Sequence, residues 1–285
     1  MSKGIPSSGF RMSKKRKESL INGLPVINKE GVIMVPGPVE SRFSIIERFN
    51  FVGDMVGMVA DGHQASVVVT GPGGLGKSFT VYKALKSKGF ADISLVDGFE
   101  LGEKAPQKSF RVIKGYSTPK GLYRTLYENR DSVIVFDDCD SVLKDSVSEN
   151  LLKAALDSYS RRIISWNADF KDDDLPNVFE FKGRVVFISN MNSHQIGQPI
   201  LSRSMNVDLS MTMDQKIERM RYLLDTSSDF LEDFSVQQKT DAMNLIAEVS
   251  HKVKELTLRT IIQVTNIRKN GGSNWRNMAE YAICG

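Results

Sequence analysis

Over residues 39–59 the apolar residues Phe43, Ile45, Ile46, Phe49, Met55, Val56 and Val59 recur mainly three and four positions apart. That spacing places them on one helix face, with Gly53 as the expected break. The next apolar run, SVVVTG at 66–71, is short, β-branched and closed by glycine, which predicts a strand buried on both faces. Runs at 110–115, 132–138, 183–190 and 205–211 have the same character, and helical spacing separates them at 119–129 and 147–158. Alternating strand and helix predicts an α/β fold, a doubly wound, mainly parallel five-stranded sheet with helices on both faces. After residue 211 the strand-like runs stop, and three amphipathic helices are predicted at 213–224, 236–253 and 256–269. The expected organisation is a flexible tail and linker over 1–38, an α/β domain over 39–210 and a small helical domain over 211–285.

Composition narrows the class. The chain has 285 residues, 41% hydrophobic and 25% charged, close to the average of soluble globular proteins. Two cysteines, Cys139 and Cys284, cannot build a disulfide framework, and no apolar run reaches the roughly 18 to 20 residues of a membrane span. A cytoplasmic protein with no membrane partner is expected. The net charge of +4 is concentrated in residues 1–20, which hold Lys3, Arg11, Lys14, Lys15, Arg16 and Lys17 against Glu18. This basic tail is read either as a solvated terminus or as an arm for nucleic-acid phosphates.

The candidate chemistry begins where the first strand ends. Gly71-Pro72-Gly73-Gly74-Leu75-Gly76-Lys77-Ser78 fits G-x-x-x-x-G-K-[ST], and Phe79 to Leu85 continues as a helix. A strand, a glycine-rich turn and a helix N-terminus aim successive backbone N–H groups at one anion. Lys77 would bridge the β- and γ-phosphates, and the Ser78 hydroxyl would ligate Mg²⁺. A carboxylate is also needed where a buried strand emerges, and Val133-Ile134-Val135-Phe136-Asp137-Asp138 supplies it. Asp137 is expected to partner Mg²⁺, and Asp138 to polarise the attacking water. Asp140 reads as a helix cap or turn acid, and Cys139 as a packed thiol. No Asn-Lys-x-Asp follows the metal acid and no Gly-x-Ser-x-Gly or His-Glu-x-x-His is present, which disfavours GTPase, esterase and zincin readings.

These motifs together resemble the AAA+ family of P-loop ATPases. GPGGLGKS corresponds to Walker A, VIVFDD to Walker B, FISN to sensor 1, ILSRS to the arginine-finger box and LTLRT to sensor 2. The resemblance implies a nucleotide-binding α/β domain with a helical lid. It also implies that residues 71–79 bind ATP, that Asn190 orients the nucleophilic water with Asp138, and that Arg259 contacts the nucleotide. Arg203 would reach the γ-phosphate held by a neighbouring subunit in a homo-oligomeric ring or open spiral; a surface arginine in an ion pair is its other reading. Asp-Asp, where most members have Asp-Glu, is similar to replication initiators and implies slow or partner-dependent hydrolysis.

The expected function is therefore an ATP-hydrolysing motor or loader in DNA replication or nucleic-acid remodelling. The alternatives are a protein-remodelling ATPase, or an ATP-binding switch that recruits a partner protein. Tyr116 stays open between an aromatic that grips a substrate and one that packs at the helix start marked by Thr118-Pro119. The compact layout, with no globular N-terminal adaptor domain, is similar to phage-encoded ATPases.

Overall fold

The computed structural model describes residues 26–27, 33–34, 41–95, 106, 108–167 and 175–285, so the basic run at 1–20 lies outside the described residues. The chain divides into two units, Met1–Arg42 and Phe43–Gly285. In the first, β1 (Val26–Ile27) pairs antiparallel with β2 (Ile33–Met34). Residues within 1–38, expected from sequence to be tail and linker, therefore include a short strand pair.

The second unit begins with α1 (Ile45–Ala60), closed at its start by a reciprocal Ser44–Glu47 capping box. The break expected at Gly53 does not occur. A Cβ there would touch nothing within 4 Å, and Val52, Val56 and Val59 on either side are fully buried, so packing outweighs the roughly 1 kcal/mol intrinsic cost of glycine. The chain continues through β3 (Ser66–Thr70), α2 (Lys77–Ser87), β4 (Ala91–Asp92), β5 (Ser109–Lys114), α3 (Pro119–Glu128) and β6 (Val133–Asp137). Next come α4 (Ser141–Lys144), α5 (Ser146–Ala155), β7 (Ile163–Ser165), β8 (Val178–Glu180), β9 (Arg184–Ile188), α6 (Gln198–Leu201) and β10 (Met205–Asp208).

Six strands, rather than the expected five, form a parallel sheet in the order β10-β3-β9-β6-β5-β4. The extra edge strand β4 has two exposed residues and therefore no apolar signature. The antiparallel pair β7 and β8 was also not expected from sequence, because each strand is three residues long. Within β3, Val67 and Val69 pack with Ile45, Phe49, Val56, Val81 and Leu85 of α1 and α2, whereas Val68 packs with Leu122 of α3 and Leu152 of α5. This period-two division of a continuously apolar run produces the two covered faces.

Four helices complete the chain: α7 (Met213–Thr226), α8 (Val236–Val249), α9 (Leu258–Asn270) and α10 (Trp275–Cys284). Their shared core includes Met220, Leu245, Ile246, Leu256, Ile261 and Val264. The fourth helix, absent from the sequence expectation, fully buries only Ala279, too little to mark a stripe. Arg48 of α1 ties this group to the sheet. Its Nη1 donates to the carbonyls of Asp208 and Ser210 at 3.1 and 2.7 Å, and its Nη2 donates to Gln215 Oε1 at 3.3 Å.

Candidate functional site

Because every strand of the sheet is parallel, the carboxyl ends of β3, β5, β6 and β9 emerge along one edge. Lys114 is in register with Asp137, and Asp137 with Ile188. Such an edge is where open parallel sheets bind ligands. The glycine-rich loop follows β3 there, and Gly76, at φ +93°, is the N-cap of α2. Gly74 has φ +69°, and a Cβ on it would lie 3.0 Å from Thr257 Cβ, so glycine permits both the turn and the approach of α9. The Leu258 N–H donates to Gly74 O at 2.8 Å. Leu75 is 1% exposed and anchors the loop in the core.

Lys77 is 5% exposed, and its ammonium uses all three donors. It donates to Gly71 O, Pro72 O and Asn190 Oδ1, each at 2.7 Å. Burial holds its pKa down at about 8, against the opposing pull of Asp138 and Asp137. The Asn190 amide then donates through Nδ2 to Asp138 Oδ1 at 2.8 Å. An amide can accept from a cation and donate to a carboxylate at once, which a hydroxyl does less rigidly and a carboxylate cannot do. Gly73 leaves room for it, since a Cβ would come within 3.4 Å of Asn190 Oδ1.

Asp138 has φ +53°, a left-handed conformation for a non-glycine residue, of the strained kind that clusters at functional sites. Its backbone N–H donates to Ile188 O at 3.0 Å. Burial, and next the charge of Asp137, raise its carboxyl pKa. Asp137 is 3% exposed; its Oδ1 accepts from Ser78 Oγ at 2.8 Å, and its Oδ2 accepts from Tyr82 OH at 2.5 Å. Lys114 Nζ lies 3.1 Å from the same Oδ2. Burial, and then the bond to Asp137, push the Tyr82 phenol pKa up, keeping it a donor.

Tyr82 and Lys114 were missed by sequence reasoning. Lys114 had one available signal, its position as the last strand residue beside the acid-ended strand. Asp140 stands at the N-cap position of α4 without capping it. Instead it accepts from Ser189 Oγ at 2.6 Å, and Ser189 Oγ accepts from the Met191 N–H at 3.0 Å. Of the two readings of Asp140, helix cap or turn acid, the cap is corrected: it is a turn acid that braces the turn carrying Asn190. Cys139 is a packed thiol, buried and raised in pKa by that burial.

Gly74, Gly76, Lys77, Ser78, Phe79, Asp138, Asn190 and Arg259 line one cavity of about 240 Å³. Phe79 is 51% exposed. Arg203 is placed elsewhere. Ser66 Oγ, at the amino end of β3, donates to Arg203 O, so the whole length of that strand, about 16 Å, separates Arg203 from the loop. Its Nη1 donates to Pro199 O at 3.0 Å, and its Nε is buried without a hydrogen-bond partner among the described residues. It shares a cavity of about 820 Å³ with Arg162 and Arg184. Among the described residues no ion pair holds it, and it is not among the residues that line the cavity around Lys77. Tyr116 is 79% exposed, so packing at the start of α3 is not its role, although Thr118 caps that helix as expected.

Comparison with known proteins gives a distant phage relative. Over 257 residues the chain is 26% identical to an uncharacterized 36.7 kDa protein in the nrdC-mobD intergenic region of enterobacteria phage T4, covering 84% of this chain and 74% of that protein. No family model matches the chain. Among solved structures, NtrX from Brucella abortus in complex with ATP aligns with a TM-score of 0.46 and 12% identity, over 81% of this chain. The alignment spans about half, 52%, of the NtrX chain. Among the described residues no helix is long and apolar enough to cross a membrane.

Proposed function

We propose that this protein binds and hydrolyses ATP at the edge of the parallel sheet, as an AAA+-type ATPase. The observation that carries the reading is the continuous chain Lys77–Asn190–Asp138 beside the pair Ser78–Asp137. Lys77, Asn190, Asp138 and Ser78 line one cavity with Gly74 and Gly76, and Asp137 is bonded to Ser78 Oγ, a set in which Asp138 would serve as general base. Lys77 would exchange its carbonyl partners for phosphate oxygens. Asn190 and Asp138 would hold the attacking water, and the raised pKa of Asp138 makes it a stronger proton acceptor. Ser78 and Asp137 fit Mg²⁺ in donor type, two hard oxygens already 2.8 Å apart; bound there, Mg²⁺ would neutralise charge on the β- and γ-phosphates. Tyr82 and Lys114 fix the far oxygen of Asp137, leaving Oδ1 beside Ser78.

Binding carries a pH signature. Below about pH 8 Lys77 is already protonated in the free protein. Above it, binding a polyphosphate requires proton uptake, so affinity in metal-free buffer falls by up to about tenfold per pH unit. Titrations between pH 7.5 and 9.5 check this, with Lys77→Arg as the variant expected to lack the dependence.

The separation of Arg203 from its own cavity supports a site completed by a second copy, with Arg203 offsetting charge on the transferred phosphoryl group. We propose a ring or open spiral that works on nucleic acid, a lean that rests on the basic run at 1–20. Steady-state ATP hydrolysis against protein concentration, with and without DNA, tests both steps. Specific activity is expected to rise steeply with concentration and further with DNA. Activity that is flat with concentration contradicts the shared site, and indifference to DNA contradicts the nucleic-acid role.

A further inference from the structure

Arg219 of α7 is 6% exposed, yet no carboxylate or carbonyl pairs with it among the described residues. Its Nε is buried without a hydrogen-bond partner. Its charged group lies 3.8 Å from the ring centre of Phe49 and 5.6 Å from that of Tyr222, and burial pulls its pKa down to about 10. Leaving a guanidinium in this state is costly unless something else uses its donors. Arg48, a comparably buried arginine one helix away, shares the unpartnered Nε but spends its Nη groups on two carbonyls and an amide, bonds that the Nη groups of Arg219 lack among the described residues.

The surroundings indicate what that user is. Arg219 lines a slot of about 180 Å³ with the apolar side chains Phe79, Leu223, Phe230, Leu258 and Ile262. Phe79, Leu258, Ile262 and Gly76 also line the cavity that holds Lys77 and Asp138, so the two spaces adjoin. A group entering the slot from the phosphate side meets mostly apolar walls, a half-exposed aromatic ring, one unpaired planar donor, and Ser227 and Asp229 as the other polar residues of the lining. Sugars lack apolar faces of that size, and a second phosphate would leave the apolar walls uncovered. A heteroaromatic ring with in-plane nitrogen acceptors satisfies both the walls and the guanidinium.

We propose that Arg219 is the base-contacting residue of the nucleotide site, donating to a ring acceptor of a purine whose faces cover Phe79 and the aliphatic side chains of the slot. The proposal rests on the nucleotide reading above and deepens it. It makes α7 the element that tells a purine nucleotide from a bare polyphosphate, while the glycine-rich loop and Lys77 bind the phosphates of either.

The test compares binding of ATP, UTP and inorganic tripolyphosphate by calorimetry to the wild type, Arg219→Met and Arg219→Lys. Methionine keeps the packing length without the donors; lysine keeps the charge without the planar fork. The wild type is expected to bind ATP at least about tenfold more tightly than UTP or tripolyphosphate. Both variants should lose about tenfold for ATP, the typical weight of a charged hydrogen bond, with tripolyphosphate affinity kept within about twofold. Equal losses for ATP and tripolyphosphate, or no loss for ATP in either variant, overturn the proposal. Wild-type binding of ATP no tighter than tripolyphosphate overturns it while leaving the phosphate site standing, and binding of neither overturns the nucleotide reading as well.

Discussion

Replacing Asp138 by asparagine is expected to leave ATP affinity within about threefold of the wild type while lowering turnover roughly 10²- to 10⁴-fold, the usual weight of a positioned general base. The asymmetry follows from the geometry. Among the described residues Asp138 hydrogen-bonds to the phosphate-binding groups only through Asn190, its charge adding a pull on Lys77, and Lys77 keeps its bonds to Gly71, Pro72 and Asn190 without it. Asparagine also tolerates the left-handed backbone at φ +53°, so the turn survives and the change isolates the proton acceptor. Single-turnover hydrolysis beside equilibrium ATP binding reads the two effects apart. A variant that binds ATP normally and hydrolyses it at the wild-type rate removes Asp138 from the chemistry. Asp138→Glu, which lengthens the carboxylate by one methylene, separates an ATPase from an ATP-binding switch: a large gain in turnover favours the switch, and no gain means that the shorter acid is already competent.

Much of the fold is legible in the sequence because its strands are buried on both faces. A strand such as Val67-Val68-Val69, with all three side chains within 1% exposure, must read as an unbroken β-branched run, and the intervening helices must carry stripes. What escapes is whatever is too short or too exposed to need apolar residues. β4 has only Ala91 and Asp92, both exposed, and β7 and β8 each bury a single side chain, Ile164 and Phe179. The continuity of α1 through Gly53 escapes for a different reason. Local propensity argues for a break, but a helix docked through Val52, Val56 and Val59 gains more from its core than one glycine costs.

The candidate site divides the same way. Gly71 to Ser78, Asp137 and Asp138 are legible because a turn, a helix start and a strand end fix them locally. Asn190 is legible as a strand-end polar residue, although its bridging role needs two distant segments to meet. Tyr82 and Lys114 are invisible for that reason. They reach Asp137 only through the strand register that sets Lys114 beside it and through the face of α2 turned towards the sheet. Asp140 misleads because a carboxylate at a helix start ordinarily caps, whereas here Ser189 outcompetes the helix N–H groups for it. The remoteness of Arg203 from the loop is a fact of strand direction, read only once β3 is seen to run between them.

Lys77→Ala is expected to weaken ATP binding at least about 100-fold, equivalent to roughly 2.7 kcal/mol, without unfolding the protein. The ammonium is the only cation bonded to the glycine-rich loop carbonyls among the described residues, and its three short bonds hold it where charge-assisted contacts to phosphate are strongest. Alanine removes that charge, and the loop stays anchored through Leu75 and the Leu258–Gly74 hydrogen bond. An equilibrium titration of the wild type and Lys77→Ala with ATP, beside thermal melting of each without ligand, tests the account most directly. The account predicts saturable one-to-one binding by the wild type, a loss of about two orders of magnitude in the variant, and melting temperatures within a few degrees of each other. Equal affinity in the two proteins, or a wild type that binds no ATP, would contradict it.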